Sequence, residues 1–260
     1  MLSRSEVDAI AQGLMADHEA RRMFVPFPER IPSNDDAYNV QDALVALICA
    51  KLGTRVEGYK IALTSKSTRE WLKIHEPCAA QVLGARIHRS PYSASLADFV
   101  RFSIETEICV VLDRDLDREV PIEDVQKMLR SIHCAYELVE DRDADLTRLD
   151  AKSLLSDNCW NGGIVIGPPG PIDLDMNDRA GRLRVNGVVT KEGTTRETIG
   201  GNPLHVVAWL AGHLGRRGKA LKAGQPVITG SIIETQFPKA GDKLVFDVDG
   251  MPPVELRVTP

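Results

Sequence analysis

The chain has 260 residues, 43% hydrophobic and 27% charged, with a formal net charge of −5. That is enough chain to bury a sizeable core, in the proportions of an ordinary globular protein. The acidic balance leaves no electrostatic footprint for nucleic acid, and no apolar run approaches the ~18 residues of a membrane span, although a metal ion can still make an acidic site receptive to anions.

The first third reads as helical. Val7, Ile10, Ala11, Leu14 and Met15 recur at helical spacing within residues 6–23, and Pro26, Pro28 and Pro32 mark a loop after them. Ser33 to Asp36 predicts a helix start; Ala37, Val40, Leu44, Leu47 and Ile48 form one face, and Gly53 stops it. From residue 55 the period changes. Val56–Leu63 predicts a strand, Ser65–Ile74 a short helix and residues 101–112 a long strand. Pro121 opens an amphipathic helix with Ile122, Val125, Leu129 and Ile132 on one side, followed by a strand at about 133–139. In the last third, Gly163–Gly167 predicts a strand and Asn186-Gly187 a hairpin. Asn202 and Pro203 then start a helix carrying Leu204, Val207, Ala208, Ala211 and Leu214, and Val227–Ile233, Leu244–Val248 and Val254–Val258 predict strands.

The expected class is α/β, a mixed α+β chain read as one unit over residues 1–260, with a helical N-terminal segment at 1–55 and a β-rich catalytic body at 56–260. The five cysteines (Cys49, Cys78, Cys109, Cys134 and Cys159) show neither a C-x-x-C pair nor zinc spacing. With an N-terminus that turns polar at once, the expectation is a cytoplasmic protein.

Three segments place charge inside apolar strands. In Arg101–Leu112, Phe102, Ile104, Ile108, Val110 and Leu112 share one face while Glu105 and Glu107 point together to the other. Two such carboxylates repel unless a cation lies between them, so a hard divalent ion and a solvated strand face are the two readings of this pair. Lys60 lies in an otherwise apolar strand, flanked by Ile61 and Leu63, and must either snorkel outward or meet a carboxylate or anionic ligand. Glu137 interrupts a third apolar run, close to Glu140 and Asp141. His133, His205 and His213, with Trp160 and Trp209, fit packing or surface roles.

In order along the chain, Asp36-Ala-Tyr-Asn-Val-Gln41, Gly58-Tyr-Lys60-Ile-Ala-Leu-Thr-Ser-Lys66, Glu105-Thr-Glu107 and Glu137 resemble the motif series of the fumarylacetoacetate hydrolase superfamily, in its 2-keto-4-pentenoate hydratase and 2-oxohexenedioate decarboxylase branch. Ser156-Asp-Asn158, Asn202-Pro203 and Thr229-Gly-Ser231 continue that series. The resemblance implies a rolled mixed β-sheet body and an Mg²⁺ or Mn²⁺ ion held by Glu105, Glu107 and Glu137. It implies that Lys60 lies near the substrate; we expect Lys60 to be catalytic, as a proton shuttle or counter-charge for an enolate, with a pKa that metal proximity and burial both lower. Thr64, Ser65, Thr229 and Ser231 are the implied substrate-binding residues. The implied activity is hydration of a 2-hydroxy-2,4-dienoate to a 4-hydroxy-2-oxo acid, with 2-oxo-3-hexenedioate decarboxylation and acylpyruvate C–C hydrolysis as alternatives. A homo-oligomer is implied, with a complex with a related decarboxylase as a further option.

The chain departs from the family pattern at one place. Where the hydratases carry Pro-Asp-x-Gly, this sequence has Pro77-Cys78-Ala79-Ala80. Either Glu76 or His75 then takes over water activation, or the reaction differs.

Overall fold

The computed structural model describes residues 1–64 and 66–260, and for residues 66–68 the backbone alone. The chain opens with α1 (Arg4–Glu19) and α2 (Asn34–Leu52). A reciprocal capping box between Ser3 and Glu6 starts the first, while Ser33 caps the second and Gly53, left-handed at φ 61°, ends it. β1 (Val56–Ala62), α3 (Lys66–Leu72), β2 (Cys78–Leu83), β3 (Ile87–Arg89) and β4 (Tyr92–Ser95) follow. Next come β5 (Phe102–Leu112), α4 (Ile122–Lys127), β6 (Leu129–Glu140), α5 (Ala151–Ser156), β7 (Asn161–Gly170), and the hairpin of β8 (Ala180–Val185) and β9 (Val188–Thr194). The chain closes with α6 (Pro203–Arg216), β10 (Pro226–Ile228), β11 (Ile233–Gln236), β12 (Lys243–Val248) and β13 (Val254–Thr259). Among the described residues no helix is long and apolar enough to cross a membrane.

The strands form two sheets. The larger runs β2-β1-β10-β5-β6-β7-β3, with β11 also paired to β5; the smaller runs β4-β13-β12-β8-β9. In the larger sheet Val82 of β2 shares an apolar cluster with Ile164 and Ile166 of β7, although four strands separate β2 from β7 in the sheet order. The sheet is therefore rolled, as the sequence led us to expect. Its convex side carries the main core: Ile104, Ile108 and Tyr136 pack with Leu44 of α2, Leu210 of α6 and Phe246 of the smaller sheet.

Two expectations about elements are corrected. The helix opened by Pro121 ends at Lys127, and Leu129 and Ile132 belong to β6. These apolar residues fit either period, and pairing with β5 wins. The strand expected over Val227–Ile233 breaks after Ile228 and resumes at Ile233, because Gly230 is left-handed at φ 93°. There a Cβ would come within 2.5 Å of the Thr64 side chain.

Candidate metal centre and active site

The pleat of the rolled sheet sorts its concave side into two zones. Val111 and Cys109 of β5, Ala135 of β6, Ile164 and Ile166 of β7, Ile228 of β10 and Val82 of β2 form a dry plug. Stepping two residues at a time past that plug brings Glu107 and then Glu105 on β5, and Glu137 on β6. Register does the rest. Glu105 lies directly opposite Glu137, and Glu107 opposite Ala135, so the carboxyls form a cross-strand pair and its diagonal neighbour on one face. One oxygen from each of Glu105, Glu107 and Glu137 lies within 4.8 Å of the others. Glu107 and Glu137 are 0% exposed and Glu105 is half-buried.

Lys60 arrives from β1, which β10 separates from β5 in the sheet, and is paired with Ile228 of β10 and Ala80 of β2. Its Nζ stands 3.1 Å from Glu137 Oε1, and that oxygen also accepts from Asn161 Nδ2 at 2.8 Å. The Gly230 N–H donates to Glu107 Oε2 at 2.7 Å, and Thr235 Oγ1 donates to Glu105 Oε1 at 2.7 Å. Of the three remaining oxygens, Glu107 Oε1 and Glu137 Oε2 are buried and have no protein partner.

Such orphaned oxygens are the test of whether a cation fits. Buried carboxylates without donors are costly, and two unit charges 4 Å apart repel by about 4 kcal/mol at an effective dielectric of ~20. A Mg²⁺ shell of ~2.1 Å bonds sets oxygen–oxygen separations of roughly 3–4.2 Å. The cluster is only slightly wider than that, and hard oxygen donors suit Mg²⁺ or Mn²⁺. The residues fit the ion.

In the absence of a cation the electrostatics are frustrated. Burial pushes the Glu107 carboxyl well above the ordinary range, with Glu137 and Glu105 adding to it. Burial likewise raises Glu137 to about 7, against the pull of Lys60. Burial alone would lower Lys60, but the attraction of Glu137, Glu105 and Glu107 outweighs it and holds the ammonium above its usual pKa. The expectation of a lowered Lys60 is corrected for the metal-free site: one ammonium sits among three carboxyls, so it keeps its proton and leaves them undercompensated.

The other expected site residues fall into two groups. Thr64 packs against Gly230, whose N–H donates to Glu107. Thr229 and Ser231 flank Gly230, but their hydroxyls donate to backbone carbonyls, Thr229 to Ile108 at 3.0 Å and Ser231 to Ile233. The backbone N–H of Gly230 is what reaches Glu107. Ser65 lies outside the described residues. His75 and Glu76 are exposed; Glu76 faces Arg216 of α6 at 3.7 Å, and neither is among the residues gathered around the carboxyls.

Asn161, Thr235 and the Gly230 N–H escaped the sequence reading, as did a strained turn beside them. Asn158, Cys159 and Trp160 are all left-handed, at φ 51°, 47° and 57°. Asn158 clasps β2, accepting from the Gln81 N–H and donating to the Gln81 carbonyl, both at 2.8 Å. The preceding Asp157 is buried and bonded to Arg142 at 2.6 Å and His18 at 2.7 Å. These contacts hold a conformation that costs about 1–3 kcal/mol per strained residue. An Asn-rich turn before a Gly-Gly pair was the only local sign of it.

A rolled sheet that brings three glutamates, two of them buried, together beside a lysine makes a candidate divalent-cation site. The sequence profile of the fumarylacetoacetate (FAA) hydrolase C-terminal family matches residues 69–259. This chain belongs to that family. It is 28% identical to 2-hydroxyhexa-2,4-dienoate hydratase of Comamonas testosteroni, over the full length of both chains (100% of each). It is 30% identical to the TodF product hydratase of Pseudomonas putida, covering 81% of this chain and 76% of that one. Among solved structures it resembles the 4-oxalocrotonate decarboxylase of Pseudomonas putida G7, complexed with magnesium and adipate, at TM-score 0.90 and 23% identity, with 99% of each chain covered. At TM-score 0.60 and 15% identity it also resembles the Pseudomonas aeruginosa fumarylpyruvate hydrolase complexed with Mn²⁺ and pyruvate, covering 77% of this chain and 88% of that one.

Proposed function

We propose that this protein is a metal-dependent hydro-lyase that hydrates a 2-hydroxy-2,4-dienoate of the 2-keto-4-pentenoate type to a 4-hydroxy-2-oxo acid. The observation that carries the reading is the convergence of Glu105, Glu107 and Glu137, one oxygen of each within 4.8 Å of the others, with a buried oxygen on both Glu107 and Glu137 lacking a protein partner. The full-length relationship to dienoate hydratases supports the substrate class. Glu105, Glu107 and Glu137 hold Mg²⁺ or Mn²⁺, which when bound supplies Lewis-acid polarisation and a chelating template for a 2-oxo acid.

The chain's own groups do the remainder. Gly230, Thr235 and Asn161 fix one oxygen of each glutamate and so aim the others. The apolar plug beneath keeps water out on that side. Lys60, within reach of Glu137, counters the enolate charge of the substrate and moves the proton that the shift from dienol to ketone requires. Thr64, Thr229 and Ser231 border the substrate, Thr229 and Ser231 by shaping the Gly230 turn. His75 and Glu76 remain candidates for water activation only if substrate binding draws their loop inward. A cytoplasmic homo-oligomer completes the proposal, and five free thiols suit a reducing compartment.

Decarboxylation of a 2-oxo-3-hexenedioate is the second reading. Cys78, where the hydratase pattern has an acid, is the observation that favours it, since loss of CO₂ needs no base to activate water. Acylpyruvate C–C hydrolysis is a third. A substrate panel with Mg²⁺, following dienol absorbance and CO₂ separately, decides. Hydration predicts dienol loss with a hydroxylated keto acid and no CO₂; stoichiometric CO₂ release selects decarboxylation instead.

A further inference from the structure

The carboxylate cluster is open on the Glu105 side. Glu107 and Glu137 are 0% exposed and Lys60 3%, and the apolar plug closes the concave face beneath them. Glu105 is half-buried, so a ligand reaches the cluster past it. Strand β11 sets what stands there. It runs antiparallel to β5 with Gln236 opposite Ile104. Counting back, Thr235 falls opposite Glu105, in keeping with its 2.7 Å hydrogen bond to Oε1. Counting on, Phe237 falls beside Ser103, one pleat step outward from Glu105 on the same face. Arg101, in step with Ser103 and Glu105, agrees with that placement: its guanidinium carbon lies 5.8 Å from the centre of the Phe237 ring. Phe237 is nonetheless 55% exposed. A single exposed aromatic is ordinary on a surface, but this one stands where a ligand has to pass. Arg101 is itself fixed, through Nε to both Asp141 oxygens at 2.8 Å and through Nη1 to Asp143 at 3.1 Å. Two carboxylates more than match its charge.

We propose that Phe237 is a specificity-determining residue: an aromatic lip that receives the uncharged distal end of the substrate and, with Arg101, Asp141 and Asp143 behind it, selects a monocarboxylic acid over a dicarboxylic one. The inference rests on the proposed binding of a 2-oxo acid at the three glutamates. With its carboxylate end held there, the tail of the acid leaves toward the open side. Two residues along a strand cover ~7 Å, comparable to the extended length of a six-carbon acid, so the terminal carbons arrive at the Phe237 ring. An alkyl terminus gains contact with the ring face. A second carboxylate in the same place loses hydration beside Asp141 and Asp143, with Arg101 already paired.

The test measures, by calorimetry, binding of two saturated acids, 2-oxohexanoate and 2-oxoadipate, to the Mn²⁺-loaded full-length protein. The parent is expected to bind 2-oxohexanoate about tenfold more tightly than 2-oxoadipate. Phe237→Ala should lose most of that ratio by weakening 2-oxohexanoate, and Phe237→Tyr should keep it. Equal affinities in the parent, tighter binding of 2-oxoadipate, or an unchanged ratio in Phe237→Ala overturns the proposal. So does an equal loss for both acids, which places Phe237 in a structural or subunit contact instead. Turnover of 2-hydroxyhexa-2,4-dienoate, followed separately, tests the hydration reading. A ratio that holds without turnover sinks hydration and keeps the role of Phe237, whereas turnover without the ratio does the reverse. Failure of both acids to bind overturns the underlying reading and this inference with it.

Discussion

Lys60 Nζ lies 3.1 Å from Glu137 Oε1, with the lysine 4% and the glutamate 0% exposed at the side chain. A buried pair of this kind is a poor source of stability, because desolvation offsets most of the attraction. Here it is also unbalanced, since Glu107 and Glu105 crowd the same ammonium. Such an arrangement makes physical sense as a site awaiting a divalent cation.

Glu107→Gln should therefore separate binding from folding. Mn²⁺ affinity is expected to fall by more than the ~10–100-fold typical of losing an outer-shell partner. The metal-free variant should melt higher than the metal-free parent at neutral pH, because a buried repulsive carboxyl is gone. Calorimetric Mn²⁺ titration and thermal melts check both.

The pH dependence of the metal-free protein follows from the same groups. Glu137 rises from an ordinary 4.5 to about 7, chiefly by burial, and Glu107 rises well above 4.5 for the same first cause. The folded state thus binds more protons than the unfolded chain across that window. Their contribution is fully present below the unfolded pKa and is lost as pH rises through the folded one. EDTA-treated protein should melt several degrees lower near pH 8 than near pH 6, and saturating Mn²⁺ should remove most of the difference while releasing protons. An EDTA-treated protein more stable at the higher pH contradicts this.

Lys60→Met is expected to lower kcat by at least ~100-fold, within the range of a lost general acid–base, while Mn²⁺ still binds. An unchanged pH–rate profile in that variant argues against proton transfer at Lys60.

Two positions hold the site without being part of its chemistry. Gly230→Ala forces a side chain into a φ of 93° and against Thr64, and should cost about 1–3 kcal/mol in denaturant unfolding. Asp157→Asn leaves Arg142 buried without its charged partner and should cost about 3–5 kcal/mol.

The sequence announced the parts of the site that break an apolar pattern. Glu105, Glu107, Glu137 and Lys60 each interrupt a buried strand, and a charge in such a run has to be explained by a partner. Helix ends at Ser33, Gly53 and Asn202, and the Asn186-Gly187 hairpin, were legible because their chemistry is local. The supporting donors were not. Asn161, Thr235 and the Gly230 N–H act through tertiary approach, and nothing within a few residues of them tells where they will point. Strand β2 was missed because Cys78-Ala-Ala-Gln81 is buried along its whole length and shows no alternation. The boundary between α4 and β6 was misread because Leu129 and Ile132 satisfy both periods.

The most direct measurement of the central claim is turnover of 2-hydroxypenta-2,4-dienoate, followed as loss of dienol absorbance, before and after excess EDTA and then with added Mg²⁺. Three glutamates holding a required cation predict that EDTA abolishes turnover and Mg²⁺ restores it in the parent protein, with no restoration in Glu107→Gln. Undiminished turnover in excess EDTA contradicts the account.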